Sequence, residues 1–466
     1  MIATSSTTLF AEATRHFTAA QQTEEQSHLP RFVDLLVALS KAQDLIKGKP
    51  LRTSLRVAAI AGTLAKTMAL SAREVTAVTY AALVCDLGLV RIAADVHHQA
   101  PQGVSEKDIF RAHTLLGARV VSSPYEPSQT EYLEHFLRAH PQASAQYVER
   151  LYLGQDVKAI VEAHHELCDG SGYPFGLTKN SIPLGARILT LADTIEGVMG
   201  EVSGLTTRQH ALESFLEFKS SDRFDADIVA VLKGLLADYP DFLKQIASLD
   251  VEAMIKTLLP TRQTPLTGKQ LLDICTLLGE LPDTMLPLYY KEHSVKTARY
   301  ALQIAEQLGI PQNQSGELML AALLHDVGQL GLPLGLLLKQ SQPSDEQLAL
   351  LHDHPRLTEE ILKGIPGFEN ITLWASEHHE RMNGRGYHTG KKGFEISVGG
   401  RILAIADAFD ALTSPRPYRT HAHEALDALP VLNQGRGTQF DGQLVSVLRQ
   451  VILKREVVSE PTTPNR

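Results

Sequence analysis

The sequence has few of the features that mark secreted or membrane-spanning proteins. Its only cysteines are Cys85, Cys168 and Cys275, too few for a disulfide framework and without the CxxC pair typical of structural zinc. It contains no run of about 18 uncharged apolar residues. Its first residues lack the basic and apolar segments of a secretory signal. These absences predict a protein of the reducing cytoplasm that does not span a membrane.

An excess of positive charge is also missing. The chain has 44 basic and 53 acidic residues, a net charge of −9, which argues against broad electrostatic binding of DNA or RNA. With 44% apolar and 21% charged residues it reads as globular, and 466 residues are too many for one ordinary core. Histidine, by contrast, is plentiful, with 19 residues, several of them beside carboxylates. A metal site is to be sought there.

The second half of the chain repeats the first. AALVCDLGLV around Asp86 matches AALLHDVGQL around Asp326, an offset of 326 − 86 = 240. EAHHELCDGSGYP at His164 matches SEHHERMNGRGYH at His378, an offset of 378 − 164 = 214. Because the matches keep one order with one change of offset, the chain is predicted to be a duplicated domain.

The change of offset indicates an insertion in repeat one. Taking His113 as the counterpart of His354, the insertion before His164 amounts to (164 − 113) − (378 − 354) = 27 residues. We predict an N-terminal extension, a first domain, a linker, a second domain and a flexible tail. Their bounds are 1–27, 28–245, 246–264, 265–455 and 456–466.

Helical periodicity dominates both repeats. The spacing predicts a helix over 293–308, followed by Gly309 and Pro311 as expected just beyond a helix end. Its apolar stripe runs through Val295, Ala298, Leu302, Ala305 and Leu308. Residues 318–324 and 402–412 are further apolar helical segments, and alternating runs of β-branched residues are absent. The predicted fold is all-α, two tandem domains of helices joined by short loops.

Repeat two carries a set of side chains with the composition of a metal site. The set is His293, His325, Asp326, His354, His378, His379 and Asp407. Buried imidazoles and carboxylates need partners, and a cation satisfies several at once. Mixed imidazole and carboxylate ligation suits iron, manganese, zinc or nickel. Since adjacent helical residues point about 100° apart, the His-Asp and His-His dyads can serve one site only from a helix end or by bridging.

These motifs resemble those of the HD-GYP phosphodiesterases, a subgroup of the HD metal-dependent phosphohydrolases. HDVGQLG, HDHP, HHERMNGRGY and RILAIADAFDALTSPRPYR occur in the family's order and cover nearly all of repeat two, and in weaker form repeat one. The resemblance implies an all-helical fold with a centre of two or three metals, commonly iron or manganese. It also implies hydrolysis of cyclic di-GMP or cyclic GMP-AMP by a hydroxide that bridges two cations.

The resemblance further implies which residues bind the cations. One cation would be held by His293, His325, Asp326 and Asp407. The other would share Asp326 and be held by His354, His378 and His379. Family members with three metals have a glutamate four residues before the first histidine, where this chain has Tyr289. Two divalent ions, iron or manganese, are therefore the expectation.

The resemblance also assigns residues to the substrate. Asp326 and Gln329 are the predicted catalytic residues, and the predicted substrate contacts are Arg416, Arg419, Tyr387 and Arg385. Gln329 stands where the family has the lysine of HDxGK, and the lost charge predicts slower turnover or an altered preference. His388 replaces the proline of GYP and Asn383 the aspartate of DGxGYP.

Repeat one departs from the pattern in other places. Thr53 and Cys85 stand where His293 and His325 do, and the two loop arginines have no counterparts. The ligand types that remain are Asp86, His113, His164, His165 and Asp193. Because the losses fall on one of the two cations, we predict at most one cation there and no hydrolysis. Repeat one is then a packing partner, a dimerisation surface or a regulator that receives a signalling partner.

Three functions remain open at this point. The leading one is a cytoplasmic cyclic-dinucleotide phosphodiesterase whose C-terminal repeat is active. The alternative is a non-catalytic signalling or scaffold protein, which Gln329 and His388 favour and the complete ligand set of repeat two opposes. The third is an HD phosphohydrolase that acts on another nucleotide or phosphoester.

Overall fold

A computed structural model shows the arrangement of the helices. It describes residues 30–93, 110, 137–200, 202, 204–218, 222–248, 250–260, 266–286, 289–290, 292–417, 419 and 421–459, without the side chains of 205, 218 and 455–459. Within these ranges there is no β-strand, and the pairings that resemble one are isolated bridges such as Arg416–Arg419. The predicted all-α fold is confirmed.

Contacts divide the chain into two compact units. Phe32–Thr264 is called here the N-terminal unit, and Pro265–Arg466, with which residues 30–31 are grouped, is called the C-terminal unit. The described helices of the N-terminal unit are α1 Phe32–Ile46, α2 Thr53–Thr67, α3 Ala72–Val84, α4 His140–Arg150, α5 Gln155–Glu162, α6 Leu184–Gly200, α7 Leu205–Phe218, α8 Ala226–Asp238, α9 Phe242–Ala247 and α10 Val251–Leu258. Helix α2 lies at the centre of this unit, packed against α1, α3, α6 and α10.

The C-terminal unit repeats much of this order. Its described helices are α11 Gly268–Met285, α12 His293–Leu308, α13 Gln312–Leu324, α14 Leu334–Leu337, α15 Asp345–Leu351, α16 His354–Leu362, α17 Glu369–Ser376, α18 Val398–Thr413, α19 Ala425–Gln434 and α20 Gly442–Ser459. Helix α12 packs against α13, α18 and α20, and α17 packs against α13, α16 and α18. The ends of these helices meet around one point, where the residues predicted to bind metal lie.

Local signals in the sequence account for several helix boundaries. Ser71 and Thr267 begin α3 and α11 with reciprocal hydrogen bonds to Glu74 and Gln270, the capping-box arrangement. Helix α12 has the predicted bounds and ends at Gly309, whose φ of 66° is the left-handed conformation that glycine adopts without strain. The apolar stripe predicted for α12 is only partly right, because Leu308 is 40% exposed while Thr297, Ala301 and Ile304 are buried.

The segment expected to be a linker, 246–264, contains more structure than a linker needs. Helix α10 lies within it and packs against α2 in the N-terminal unit. Val251 and Ile255 on this helix are fully buried, which explains the packing. The predicted N-terminal extension and most of the predicted tail fall outside the described residues.

One described stretch, Ala72–Ala93, has the length and apolar composition that a membrane span requires. However, 78% of its window is buried inside the fold, as in a core helix, so it supports a membrane span only weakly. Tight packing occurs at Gly88 within this stretch and at Gly328 in the C-terminal unit. A Cβ added at Gly88 would overlap the carbonyl oxygen of His140, and one at Gly328 that of His354. Only glycine leaves room for α4 to approach residue 88 and for α16 to approach residue 328 so closely.

Candidate metal centre

All seven predicted ligands of the C-terminal unit lie at one place. His293 is the first residue of α12, His325 and Asp326 follow α13, and His354 is the first residue of α16. His378 and His379 follow α17, while Asp407 lies within α18. Both dyads therefore project from helix ends, one of the two arrangements in which adjacent residues can serve one site. We call this group the C-terminal cluster.

Asp326 lies between two groups of imidazoles. Its Oδ2 is 3.4 Å from Nε2 of His293 and 3.4 Å from Nε2 of His325. Its Oδ1 is 3.3 Å from Nε2 of His354 and 3.6 Å from Nε2 of His378. The ligand atoms fall into three overlapping groups, each with its atoms within 4.8 Å of one another: His293 with His325 and Asp407, His325 with Asp326 and His378, and His354 with His378 and His379.

The fold fixes the tautomers of three of these histidines. Nδ1 of His325, His354 and His378 donates to the backbone carbonyl three residues earlier, at 2.8, 2.7 and 2.6 Å. A carbonyl can only accept, so Nδ1 carries the proton and, in the neutral ring, Nε2 presents a lone pair. These lone pairs all point toward Asp326, and Nε2 of His354 lies 3.2 Å from Nε2 of His378. Two acceptors at this distance repel each other unless something positive lies between them.

His293 is oriented in a different way. Its Nδ1 donates to Oδ2 of Asp410 at 2.7 Å, which turns Nε2 toward Asp326 and Asp407. Burial opposes the charged form of His293, but hydrogen bonds to the three carboxylates outweigh it and raise the pKa of the imidazole well above its usual value. For Asp326, burial is outweighed by His325, His293 and His354, which hold its pKa well below the usual range.

The donor set fits divalent metal ions. Among the described atoms, Nε2 of His325 and Oδ1 of Asp326 are fully buried without a hydrogen-bond partner. A native fold seldom leaves such atoms unsatisfied. Imidazole nitrogens and carboxylate oxygens around them are ligands of iron, manganese and zinc. The C-terminal cluster therefore has the composition and the unsatisfied atoms of a metal centre.

A cavity of about 570 Å³ opens beside the C-terminal cluster. Its polar lining includes His354 of the cluster together with Gln329, Lys339, His352 and Tyr387. The ring of Tyr387 stacks on that of His352 with centroids 3.9 Å apart. The volume falls in the range of ligand sites, about 300 to 1,000 Å³. Gln329 and Tyr387, both predicted to act on the substrate, thus share one cavity.

The predicted arginines are placed differently from one another. Arg416 is buried beside the cluster, with its guanidinium 4.1 Å from the Tyr290 ring and Nη2 3.3 Å from Nδ1 of His293. Arg419 donates to the carbonyls of Ala411, Leu412 and Ser414 at the end of α18 and lines a separate cavity. Arg385 is exposed on the loop after α17. The structure brings only Arg416 to the cluster.

Both departures in the GYP loop have local partners. Nε2 of His388 lies 2.8 Å from Oε2 of Glu359, so a polar contact anchors the residue that replaces proline. The side chain of Asn383 accepts from the backbone N–H of Arg385 at 3.0 Å. Asp169 makes the same turn in the N-terminal unit, where it accepts from Ser171 at 2.9 Å. The exchange of aspartate for asparagine thus preserves the turn.

The N-terminal unit holds a second group of ligand types, called here the N-terminal cluster. It consists of Asp86, His140, His164 and His165, with ligand atoms within 4.8 Å of one another. His140, and not His113, takes the position of His354, which corrects the sequence alignment; His113 lies outside the described residues. The 24-residue separation from His140 to His164 equals that from His354 to His378, and both pairs have Nε2 atoms 3.2 Å apart.

Other side chains replace the missing histidines of the N-terminal unit. Thr53 donates its hydroxyl to the carbonyl of Pro50 at 2.7 Å, and the buried thiol of Cys85 faces the carbonyl of Ala82. Beside them, Nζ of Lys47 lies 2.8 Å from Oδ2 of Asp86. Burial opposes the charge on Lys47, but Asp86 and further carboxylates outweigh it and raise its pKa. The half of the site that lost its histidines therefore contains an ammonium group.

The sequence of this protein matches a known domain family. A family model described as the HD domain matches residues 128–228 and 233–444, more than half of the chain. The chain belongs to the HD domain family. The two matched ranges fall one in each half of the chain. The resemblance predicted from the sequence motifs is confirmed.

Relatives of this HD domain protein are named as phosphodiesterases. It is 27% identical over 443 residues to 3′3′-cGAMP-specific phosphodiesterase 3 of Vibrio cholerae serotype O1, covering 90% of this chain and 94% of that protein. It is 39% identical over 147 residues to the cyclic di-GMP phosphodiesterase response regulator RpfG of Xanthomonas campestris pv. campestris, covering 31% of this chain and 39% of that one. The prediction of a phosphodiesterase agrees with both names.

A solved HD domain structure has a similar fold over nearly the same length. The crystal structure of a cyclic GMP-AMP specific phosphodiesterase of Vibrio cholerae superimposes with a TM-score of 0.64 at 25% identity. The match covers 91% of this chain and 98% of that one. Both units of the HD domain protein thus have counterparts in one solved chain.

Three residues that lie at these clusters, namely Asp410, Lys47 and His140, were not identified from the sequence. Asp410 is separated from its partner His293 by 117 residues, and Lys47 from Asp86 by 39. No local pattern joins residues so far apart. His140 could have been found, because it precedes Pro141 as His354 precedes Pro355 and keeps the offset of 354 − 140 = 214. The insertion of repeat one therefore lies before His140.

Proposed function

We propose that the C-terminal unit hydrolyses a phosphodiester bond of a cyclic dinucleotide, either 3′3′-cyclic GMP-AMP or cyclic di-GMP, with two divalent cations, iron or manganese. The observation that carries this proposal is the position of Asp326, whose two oxygens face two different groups of imidazoles at 3.3 to 3.6 Å. The names of the relatives in Vibrio cholerae and Xanthomonas campestris support the substrate class.

The ligands we propose are the seven residues of the C-terminal cluster. His293, His325 and Asp407 would hold one cation, and His354, His378 and His379 the other, with Asp326 shared. When bound, such a pair of cations lowers the pKa of a water molecule toward neutrality and offsets the negative charge that grows on the phosphoryl oxygens. Asp410 keeps His293 oriented, and the carbonyls behind His325, His354 and His378 do the same for those rings.

The cavity beside the cluster supplies the binding groups. Gln329 would donate a hydrogen bond from its amide to a substrate phosphate, and Tyr387 would present its ring to a base. Lys339, which lines the same cavity, would supply the positive charge that the family has from the lysine at the position of Gln329. Arg416 would add positive charge from behind the cluster. Arg419 and Arg385, which lie elsewhere, are not needed for this arrangement.

Hydrolysis of a panel of substrates by the full-length protein tests this proposal. The panel is 3′3′-cyclic GMP-AMP, cyclic di-GMP and the simple diester bis(p-nitrophenyl) phosphate, with the metal content of the protein measured in parallel. We expect a cyclic dinucleotide to be hydrolysed, the reaction to stop when a chelator removes the metal, and to resume with Mn²⁺ or Fe²⁺. Binding of cyclic dinucleotides without hydrolysis by metal-loaded protein would favour the non-catalytic signalling alternative. Cleavage of the simple diester alone would favour another phosphoester substrate.

The location and partners of the protein belong to the same proposal. A cytoplasmic location is supported by the three cysteines, which are all free thiols, as a reducing compartment leaves them. A homodimer or a signalling partner at the N-terminal unit stays a prediction. Its test is the molar mass of the purified protein in solution, with and without cyclic dinucleotide.

A further inference from the structure

We propose that the N-terminal cluster binds one divalent transition-metal ion through Asp86, His140, His164 and His165, and that the ammonium group of Lys47 replaces the second ion of a dinuclear centre. This site is separate from the C-terminal cluster and does not depend on which substrate the C-terminal unit hydrolyses.

The rings of the N-terminal cluster are oriented for a cation. Nδ1 of His140 lies 2.5 Å from the carbonyl of Leu137, and Nδ1 of His164 lies 2.7 Å from that of Val161. Since a carbonyl only accepts, both Nδ1 atoms carry a proton and, in the neutral ring, each Nε2 turns its lone pair inward. His140 and His164 are completely buried and Asp86 is equally so. Three electron-rich atoms therefore meet at a buried point.

The spacing of these atoms matches the coordination shell of a metal ion. Nε2 of His140 and Nε2 of His164 are 3.2 Å apart, and Oδ1 of Asp86 lies 3.2 and 3.4 Å from them. Tetrahedral ligands at the usual zinc–nitrogen distance of about 2.0 to 2.1 Å are ~3.3 Å from one another. Three imidazoles with one carboxylate suit Zn²⁺, Fe²⁺ or Mn²⁺ in preference to Ca²⁺ or Mg²⁺. The ring of His165, stacked on Tyr173 at 4.8 Å, completes the set.

Lys47 occupies the other side of the aspartate. In the C-terminal cluster, Oδ2 of Asp326 faces His293 and His325. In the N-terminal cluster the same oxygen of Asp86 receives Nζ of Lys47 at 2.8 Å, and Lys47 also donates to Ser54 at 3.1 Å. A lysine delivers one positive charge to a carboxylate without any imidazole ligands, so Thr53 and Cys85 need not be histidines. Oδ1 remains on the side of His140 and His164 and can share one ion with them.

Metal counting on the full-length chain tests the N-terminal site apart from hydrolysis. The C-terminal cluster is first disabled with the double variant Asp326→Ala/His378→Ala, and the protein is stripped with a chelator, loaded with Zn²⁺ and freed of excess metal. Elemental analysis should then find one Zn²⁺ per chain. Adding His140→Ala or His164→Gln should remove it, while the exposed His210→Ala serves as the matched control and should retain it.

Folding of each variant is checked by circular dichroism and by its unfolding temperature, which Zn²⁺ should raise in the double variant and leave unchanged after His164→Gln. A folded double variant without Zn²⁺ would overturn the site, as would Zn²⁺ that persists after both His140→Ala and His164→Gln. Neither result would bear on hydrolysis by the C-terminal unit, because no readout here is activity.

The role of Lys47 has a test of its own. In the same double-variant chain, Lys47→Ala together with Thr53→His and Cys85→His replaces the ammonium group with two imidazoles. If Lys47 stands for a second ion, Zn²⁺ should rise from one to two per chain. A folded protein that still binds one Zn²⁺ would contradict the replacement, and Lys47 would then be a structural ion-pair partner of Asp86.

Discussion

Each cluster contains a buried aspartate beside a similar pair of histidines, but the other partners of the two aspartates differ. Asp86 and Asp326 both follow a buried helix, and each presents one oxygen to a pair of imidazoles whose Nε2 atoms are 3.2 Å apart. The other oxygen faces two histidines in the C-terminal unit and a lysine in the N-terminal unit. In the N-terminal unit, Lys47 thus compensates the charge of Asp86 on the side where Thr53 and Cys85 replace histidines.

A second difference extends this comparison outward from the aspartates. Asp410 orients His293 in the C-terminal unit, whereas Glu196, at the corresponding offset of 410 − 196 = 214, binds Arg56 at 2.8 Å. Among the described residues, Glu196 has no histidine equivalent to His293 beside it, and the guanidinium group of Arg56 is its positive partner instead. Buried carboxylates need positive partners whether or not the site is active.

The largest effect on the rate of hydrolysis is expected from a change to Asp326, the shared aspartate of the C-terminal cluster. Asp326→Asn should lower hydrolysis of cyclic dinucleotide by roughly a thousandfold, or ~4 kcal/mol of activation free energy, because the shared carboxylate is lost. The matched control is Asp427→Asn, an exposed aspartate of α19 that should leave the rate unchanged. Initial rates at saturating substrate measure both. A loss of less than tenfold would mean that Asp326 is not shared by catalytic ions.

The buried lysine allows a test confined to the N-terminal unit. Lys47→Met should reduce the free energy of unfolding of that unit by about 3 kcal/mol in chelator-treated protein, because the buried Asp86 loses its cation. The only tryptophan, Trp374, lies in the C-terminal unit, so its fluorescence reports on that unit alone. Urea unfolding followed by circular dichroism should shift, while the Trp374 transition stays in place.

An exposed lysine provides the matched control for this shift. Lys66→Met on α2 should change the free energy of unfolding by less than about 0.5 kcal/mol, as surface substitutions usually do. Equal effects of Lys47→Met and Lys66→Met would show that the ammonium group is not needed by Asp86. The comparison between the two clusters would then lose its electrostatic basis.

Substitutions of Asp410 and Glu196, the carboxylates at equivalent positions of the two units, should differ in their effect on hydrolysis by a smaller factor. Asp410→Asn should weaken metal binding or hydrolysis by about 10- to 100-fold, the usual cost of removing a hydrogen-bond partner of a ligating histidine. Glu196→Gln, which removes the negative charge from the contact to Arg56, should leave hydrolysis unchanged. Metal titrations and rates at fixed metal content separate affinity from turnover. If both variants behave alike, Asp410 does not act through His293.

The smallest effect concerns the cavity. Gln329→Lys should raise the rate by roughly fivefold, because a charge-assisted hydrogen bond to phosphate replaces a neutral one. The corresponding residue of the N-terminal unit, at 329 − 240 = 89, is the buried Leu89, so no such contact is available there. Gln312→Lys adds the same charge at an exposed position and should not change the rate. A slower Gln329→Lys enzyme would indicate that the amide itself selects the substrate.

Much of this arrangement could be predicted from the sequence because it depends on local patterns. The bounds of α12 follow from an apolar period that ends at Gly309, and the His-Asp and His-His dyads identify helix ends that meet. Contacts between distant segments could not be predicted in this way. Lys47 and Asp410 have no motif of their own, and their roles depend on helix packing that brings them to Asp86 and His293.

The repeated donation from Nδ1 to a carbonyl three residues earlier has a consequence for loading. His140, His164, His325, His354 and His378 all make this contact. Each ring is thus held by the backbone at a helix end, so it would lose little rotational entropy on binding an ion. Rings fixed in this way would favour tight metal binding, and the two clusters share the feature although they differ in their other ligands.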